Sequence, residues 1–318
     1  MSDLVCPSCE SPKHELVFTS WNGYPIRRCE SCRLVFTDDR DAPPPETLYP
    51  HFEQSDNAAR KNVRSALSVF SDQRAAAVDR MSKRTAQHDG TKKRLLDYGC
   101  GSGAFARFMA SRGWDVVGLE PFSLGSPTNE PSLTLLRKPF ETAREELGTF
   151  DVITLWHVLE HVHKPIELLR ALGSHLAPDG VIVISVPNFK SVQSELFKGA
   201  WFHLDPPRHL IHFEPDTLAS TVAHAGLRQV AEQPFLAEYG TSGWVQSVLN
   251  RVLPHKNFLF ELVKDRGALR AMSAGSTAAH AAASIALGAP VLAASLPIEA
   301  VAARSNRAGA LTIAARRA

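Results

Sequence analysis

From residue 91 onward, apolar and polar positions alternate between two rhythms. Short apolar runs bounded by Gly, Pro, Asp or Asn read as buried strands: Leu95-Leu96, Val116–Leu119, Phe150–Trp156 and Val181–Val186. Stretches such as Ala104–Ala110 read as helices between them. Repeated strand–helix alternation calls for a mostly parallel sheet with helices on both faces. The predicted fold class is α/β, with a Rossmann-like, doubly wound sheet of seven strands. Downstream, a helix from Pro215 to about Ala225 leads through Gly226 into a strand over Leu227–Phe235. The last strand is predicted at Ala308–Ala315, which leaves residues 240–304 as a helical insertion before it. Upstream, residues 46–88 read as helical, with Val63, Leu67 and Phe70 at near-helical spacing. Asp38–Pro45 is a polar linker stiffened by three prolines. Glu15–Thr19 and Arg33–Thr37 read as short strands of a small N-terminal module. The predicted domains are residues 1–37, a linker and helical cap at 38–90, the core at 91–239, the insertion at 240–304 and the final core strand at 305–318.

Composition changes this picture little. The chain has 318 residues, 44% hydrophobic and 21% charged, with a net charge of +2. No global electrostatic footprint points to nucleic acid. The N-terminus lacks a basic region followed by an apolar stretch, so no secretory signal is read there, and a cytoplasmic setting is expected.

Four of the five cysteines form two C-x-x-C pairs, Cys6/Cys9 and Cys29/Cys32, separated by 19 residues. That spacing is the one a four-cysteine zinc ribbon uses, each pair sitting on a tight turn. Two disulfides are the competing reading, which a reducing compartment disfavours. So small a module buries too little apolar area to fold alone, and structural Zn2+ would supply the missing stability. With all four positions filled by protein, no site remains open for catalysis. Through Thr37 the module carries four basic and four acidic residues, a balance that does not favour phosphate contacts.

Asp97-Tyr98-Gly99-Cys100-Gly101-Ser102-Gly103 joins the first core strand to the helix at Ala104. Glycines at alternate positions let backbone approach a ligand closely, and the following helix aims unpaired N–H groups at it. Gly99, Gly101 and Ala104 also satisfy the looser dinucleotide pattern G-x-G-x-x-G/A, with Glu120 near where its ribose acid belongs. Three later segments decide between cofactors: Val116–Glu120, Phe150–Val162 with its His157-Val158-Leu159-Glu160-His161, and Leu176–Asn188 with its Leu176-Ala177-Pro178-Asp179-Gly180. Together these resemble the class I S-adenosylmethionine-dependent methyltransferases, in the branch with motifs D-x-G-C-G-x-G, H-V-L-E-H and L-x-P-x-G. The resemblance covers roughly residues 91–235.

It implies S-adenosyl-L-methionine as methyl donor and a set of site residues. Asp97 would orient the loop and the amino end of the methionine moiety, and Gly99, Gly101 and Gly103 would line the path beside it. Glu120 would bind the ribose, Glu141 would stand near the adenine, and His157 would face the same crevice. His157 is also a candidate base, because it follows a strand at its carboxyl end. Trp201–Phe213 is similar to the P-R-H-L-x-x-F element of the branch. There Arg208 would hold an anionic group and His209 would act as base, the alternative being a rigid loop in which Arg208 pairs Asp205. A metal site at His203, His209 and His212 lacks an accompanying carboxylate and cysteine pattern and is not expected. No Asn-Pro-Pro-Tyr or Asp-Pro-Pro-Tyr follows the fourth strand, which disfavours amide or exocyclic nitrogens as acceptors. The expected partner is a small-molecule methyl acceptor, a hydroxyl or carbon of a sugar or natural-product intermediate. Two alternatives remain: an RNA methyltransferase using the ribbon for recognition, and a non-catalytic cofactor-binding assembly module. Tyr49 is a further contact candidate in the cap.

No Asp, Glu, Lys or Arg occurs from Ala271 through Ile298, a run of 28 residues. That length allows a membrane span. Alanine and serine dominate, however, Pro290 and Pro297 interrupt it, and the chain must return to complete the sheet. The run 271–298 is therefore read as a soluble helical hairpin, a dimer contact or a peripheral membrane contact.

Overall fold

The computed structural model describes residues 4–48, 58–82, 92–121, 128–233, 235–264 and 272–318. Tyr49 lies outside them. Two sheets organise the chain. The larger is built from β4 (Arg94–Tyr98), β5 (Asp115–Leu119), β6 (Thr128–Glu130), β7 (Leu133–Leu136), β8 (Phe150–Trp156), β9 (Leu176–Pro187), β11 (Leu227–Gln233) and β12 (Ala310–Arg317), in the spatial order β11-β12-β9-β8-β4-β5-β7-β6. Five strands, β9-β8-β4-β5-β7, run parallel. β12 slots antiparallel between β9 and β11. This is the expected seven-stranded sheet, with the three-residue β6 added as an antiparallel eighth strand at the edge. The last strand lies two residues downstream of its predicted place, at 310–317.

The two-residue period sorts side chains onto two cores. Leu96, Ile153, Ile182 and Ile184 face α4 (Phe140–Leu147), α5 (Pro165–Ser174) and α7 (Pro215–His224). Leu95, Val152, Val181 and Val183 face α2 (Ala58–Met81) and α3 (Ala104–Ser111). Strands buried on both faces have no polar side to spare, which explains their continuous apolar sequence. The helices start on local signals: Pro165 and Pro215 stand in first turns, and Glu214 with Thr217 forms a capping box.

From β4 the chain winds outward through β5 and β7, then returns to β8 on the other side of β4 and winds outward again through β9. The carboxyl ends of β4 and β8 therefore flank the point where strand order reverses, where ligands bind in sheets of this kind.

The smaller sheet contains β1 (His14–Thr19), β2 (Pro25–Cys29), β3 (Val35–Thr37) and β10 (Ile211–His212). Sequence reading missed β2, whose Ile-Arg-Arg-Cys has only one clearly apolar side chain. It also gave no sign that β10, separated from the end of β3 by 173 residues, pairs with it through Ile211↔Phe36 and His212↔Val35. Leu34 and Phe36 share one apolar core with Leu159, Leu210 and Phe213.

The linker holds the short α1 (Pro45–Leu48), and α6 (Val192–Phe197) follows β9. The insertion is formed by α8 (Ala237–Val252), α9 (Phe258–Lys264) and α10 (Ala274–Ala303). Pro290 and Pro297 do not interrupt α10, which is one helix of 30 residues. The hairpin is made instead by α10 folding back on α8.

Candidate active site

Asp97 is buried near the end of β4, where Thr154 Oγ1 donates to its Oδ1 at 2.9 Å. Burial pushes its carboxyl up to about 7, against the Thr154 hydrogen bond and the Arg74 charge, which favour the ionised form. The glycine loop leaves β4 with Gly99, Gly101 and Gly103 all at positive φ. At Gly99 a Cβ would lie 2.5 Å from Val158 Cγ2, so only glycine fits against the His157–His161 segment. At Gly101 the same direction is open, with nothing within 4 Å, so backbone is bare where a ligand would approach. The Gly101 N–H donates to Glu120 Oε2 at 2.9 Å, and Arg137 Nη1 donates to Gly101 O. Glu120 thus stands directly across from the loop, within the reach expected of a ribose acid.

Glu141 is exposed in the first turn of α4. Its charge reaches the Tyr98 phenol, which burial first, and Glu141 and Glu120 next, push up to about 12.

His157 immediately follows β8 with φ of +55°, a left-handed turn that swings its ring away from the strand line. The ring stacks on Tyr239 at 3.6 Å between centroids. Its Nδ1 lies 3.2 Å from Glu160 Oε1, at ion-pair distance, and its buried Nε2 has no hydrogen-bond partner. Glu160 is fully buried, and neither carboxylate oxygen has a hydrogen-bond partner. Imidazoles stand around it: His157, and His209 with Nε2 at 3.9 Å. Glu160, His161 and His209 also place one ligand atom each within 4.8 Å of one another.

His209 therefore meets Glu160 from behind, inside the protein. Its Nδ1 faces the His203 carbonyl at 2.7 Å, and burial lowers its pKa well below the usual imidazole range. Arg208 forms a 2.7 Å ion pair with Asp205, the arrangement of the rigid-loop alternative. His203 Nε2 faces Tyr239 O, and His212 Nε2 faces Thr37 Oγ1, so these two rings point to separate partners. Burial, with the neighbouring His157 charge, lowers His203 to about 4, and burial alone lowers His212 to about 3. Asn188, just past the end of β9, is buried and donates to Asn306 O and Ala308 O.

Several residues of the site went unnoticed in the sequence. Arg74 on α2 pairs with Glu238 and lies over the Trp156 and Tyr239 rings at 5.6 and 5.2 Å. Trp156 Nε1 is buried without a partner. Glu160 was legible, because it lies inside the quoted motif. Arg74 and Tyr239 come from segments far apart in sequence, and nothing local marks them.

The second cluster is at the N-terminus. All four thiol sulfurs of Cys6, Cys9, Cys29 and Cys32 lie within 4.8 Å of one another, with Cys6–Cys32 at 3.5 Å and Cys9–Cys29 at 3.6 Å. Four thiolates about 2.3 Å from a tetrahedral metal stand roughly 3.8 Å apart, so the donor set and spacing fit such an ion. The separations are far longer than a disulfide's ~2.05 Å, and the cysteines are free thiols.

The methyltransferase domain family matches residues 70–232, just over half of the chain. The chain belongs to that family. The match spans β4 through most of β11, and thus the glycine loop, Glu120 and the His157–His161 segment. The chain is similar to the ubiquinone biosynthesis O-methyltransferase of Acinetobacter baumannii, at 32% identity over 151 residues, covering 42% of this chain and 63% of that protein. The enzyme of the same name from Psychrobacter cryohalolentis is 37% identical over 126 residues, 36% of this chain and 49% of that one. The chain thus spans less than two thirds of the curated relatives it matches. Among solved structures, a putative sarcosine dimethylglycine methyltransferase from Galdieria sulphuraria superposes with a TM-score of 0.45 at 14% identity, covering 79% of this chain and 86% of that one.

Proposed function

We propose that this methyltransferase family member transfers a methyl group from S-adenosyl-L-methionine to a hydroxyl of a small molecule. The observation that carries the reading is the Gly101–Glu120 pairing at the strand-order switch, with open space beside Gly101 and the buried Asp97 next to it. A carboxylate facing a bare glycine backbone suits a ribose diol, and a second carboxylate suits an ammonium group. The unpartnered Trp156 Nε1 and His157 Nε2 are polar atoms that a ligand can satisfy. The relatives' name supports oxygen as the acceptor atom.

The cofactor's sulfonium supplies an already activated methyl group, so the protein chiefly positions and deprotonates the acceptor. His157 is the residue placed for the second task. With its Nδ1 toward Glu160, the ring presents Nε2 to the acceptor's proton, and the carboxyl group beside Nδ1 supports the ring as it takes that proton. Arg208 and His209, expected from the sequence to hold and deprotonate the acceptor, support the site from the loop that carries them.

At the N-terminus, a structural zinc held by the four cysteines fits the sulfur spacing and would fasten the Cys6–Cys9 turn before β1 to the turn joining β2 and β3, next to β3's pairing with β10, the strand that ends the Arg208–His209 loop. The sheet is thereby a buttress of the site.

The test is methyl transfer from labelled cofactor to a panel of phenols, catechols and sugars, with calorimetry of cofactor binding. His157→Ala should bind cofactor as the parent does and turn over about 10²–10⁴-fold more slowly. A normal rate in that variant, or no binding heat with the cofactor, would overturn the reading.

A further inference from the structure

α10 is packed inside out. In a helix on a water-soluble core, large apolar residues face the neighbour and polar residues face solvent. Here the buried positions are Ser284, Gly288, Ser295, Glu299, Ala302 and Ala303. Most of the large aliphatic residues point outward instead, with Val291 packing inward: Ile285 is 71% exposed, Val301 61%, Leu292 47% and Leu296 45%. The single Asp, Glu, Lys or Arg between Ala274 and Ala303, Glu299, is turned inward. There it accepts hydrogen bonds from Gln193 Nε2 (2.6 Å), Trp244 Nε1 (2.7 Å) and the Gly309 N–H (2.8 Å). Small residues at a helix–helix contact with aliphatic side chains outside is the pattern of helices that live against lipid.

At 3.6 residues per turn, Ile285, Leu292 and Leu296 form one outward row, and Leu287, Ile298 and Val301 form a second roughly 180° round the helix. The arc between them, on the side away from α8, is alanine and proline. One rigid protein surface covers a strip of such a helix, whereas fluid acyl chains wrap both rows and the arc together. Leu196 on α6 and Val252 at the end of α8, helices packed together and with α10 through α8, are likewise exposed large apolar residues.

Charge points the same way. Residues 237–307 hold seven Arg and Lys against four Asp and Glu, one of the four being the buried Glu299, while the rest of the chain holds 28 against 29. Exposed Arg251 and Arg304 border the aliphatic positions Val252 and Val301. The helix has the length and composition to cross a membrane, but its contact with α8 and its direct continuation into β12 tie it to the core. It must therefore lie along a bilayer rather than through it.

We propose that α10, with the outer edges of α6 and α8, is a docking surface that seats the protein on an anionic lipid bilayer. α10 lies in the plane where headgroups meet acyl chains, and the arginines at its borders contact the headgroups. This surface stands on observations independent of the methyl-transfer reading.

The experiment is flotation of the full chain with vesicles of phosphatidylcholine alone or mixed with phosphatidylglycerol. The protein should float with the mixed vesicles, and the fraction bound should fall but not vanish in high salt. The double variant L292E/L296E should bind at least about tenfold less, with circular dichroism and thermal midpoint unchanged because both side chains already face outward. Protein that stays at the bottom with both vesicle types would overturn the proposal. So would a double variant that floats as the parent does, or a lipid-free dimer by sedimentation equilibrium that the same substitutions dissolve, which would assign the face to a second copy.

Discussion

Asp97 shows how a single buried group can prepare a site for a cation. Holding its carboxyl at about 7 instead of the ordinary 3.8 opposes ionisation by on the order of 4 kcal/mol, and a bound ammonium group offsets that cost. Cofactor affinity should therefore weaken as pH falls below about 7, and Asp97→Asn should flatten that dependence while weakening binding at pH 8; calorimetry across pH 5.5–8.5 checks both. Gly101 makes the complementary steric argument. Gly101→Val should abolish cofactor binding, because its side chain occupies the open side of the loop. The strained φ of +53° costs only about 1–2 kcal/mol, so circular dichroism should still report a folded protein. In the proposed reaction Glu160 acts through His157. It is a positioning residue, buried without hydrogen-bond partners and set against His157.

At the scale of elements, two distant segments are tied to the core by a few strong contacts. The cysteine sheet grips the Trp201–Phe213 loop through β10, through Thr37 Oγ1 donating to His209 O at 2.7 Å, and through the Arg28–Glu214 ion pair at 2.7 Å. Cys29→Ser should lower the metal content, measured by elemental analysis, and reduce the thermal midpoint by about 5 °C or more, at roughly 2–4 °C per kcal/mol for a domain of this size. Turnover should fall more than cofactor affinity, since the glycine loop is on the other side of the crevice floor. α10 depends in the same way on Glu299. Removing its carboxylate strands the Trp244 indole N–H and the Gly309 N–H at once and leaves the Gln193 amide with the Gly240 carbonyl alone. Glu299→Ala should destabilise the protein by about 2–5 kcal/mol in urea unfolding, because it leaves buried N–H donors without an acceptor.

For the whole molecule, buried titratable groups pull stability in opposite directions with pH. His203 and His212, lowered to about 4 and 3, stay neutral in the folded chain while the unfolded chain takes up protons below about 6.5. They stabilise the fold above that pH and lose their contribution as pH falls toward 4. Asp97 acts the other way: with its pKa raised to about 7, its contribution is fully present below about 3.8 and is lost as pH rises through 7. His209, lowered well below the usual range, acts with His203 and His212, so three histidines outweigh one carboxyl and net stability should decline as pH falls from 6.5 to 4 by more than about 1.4 kcal/mol per pH unit. Asp97→Asn should make that decline steeper, as denaturant midpoints at several pH values would show.

Much of the fold was written locally. β4, β5, β8 and β9 are apolar on both faces, and no other arrangement than a covered parallel sheet buries such strands. Asp97, the three glycines and Glu120 were readable for a related reason: each acts through its own backbone or through the strand end it sits on. Paired cysteines at ribbon spacing likewise implied their own convergence. Tertiary structure decided the rest. Tyr239 and Arg74 reach His157 and Trp156 only because α8 and α2 pack over the same strand ends, and β10 joins β3 across 173 residues of intervening chain. The outward face of α10 follows the same logic. Its apolar run was plain in the sequence, but which side meets α8 depends on where Gln193, Trp244 and Gly309 stand in space to receive Glu299.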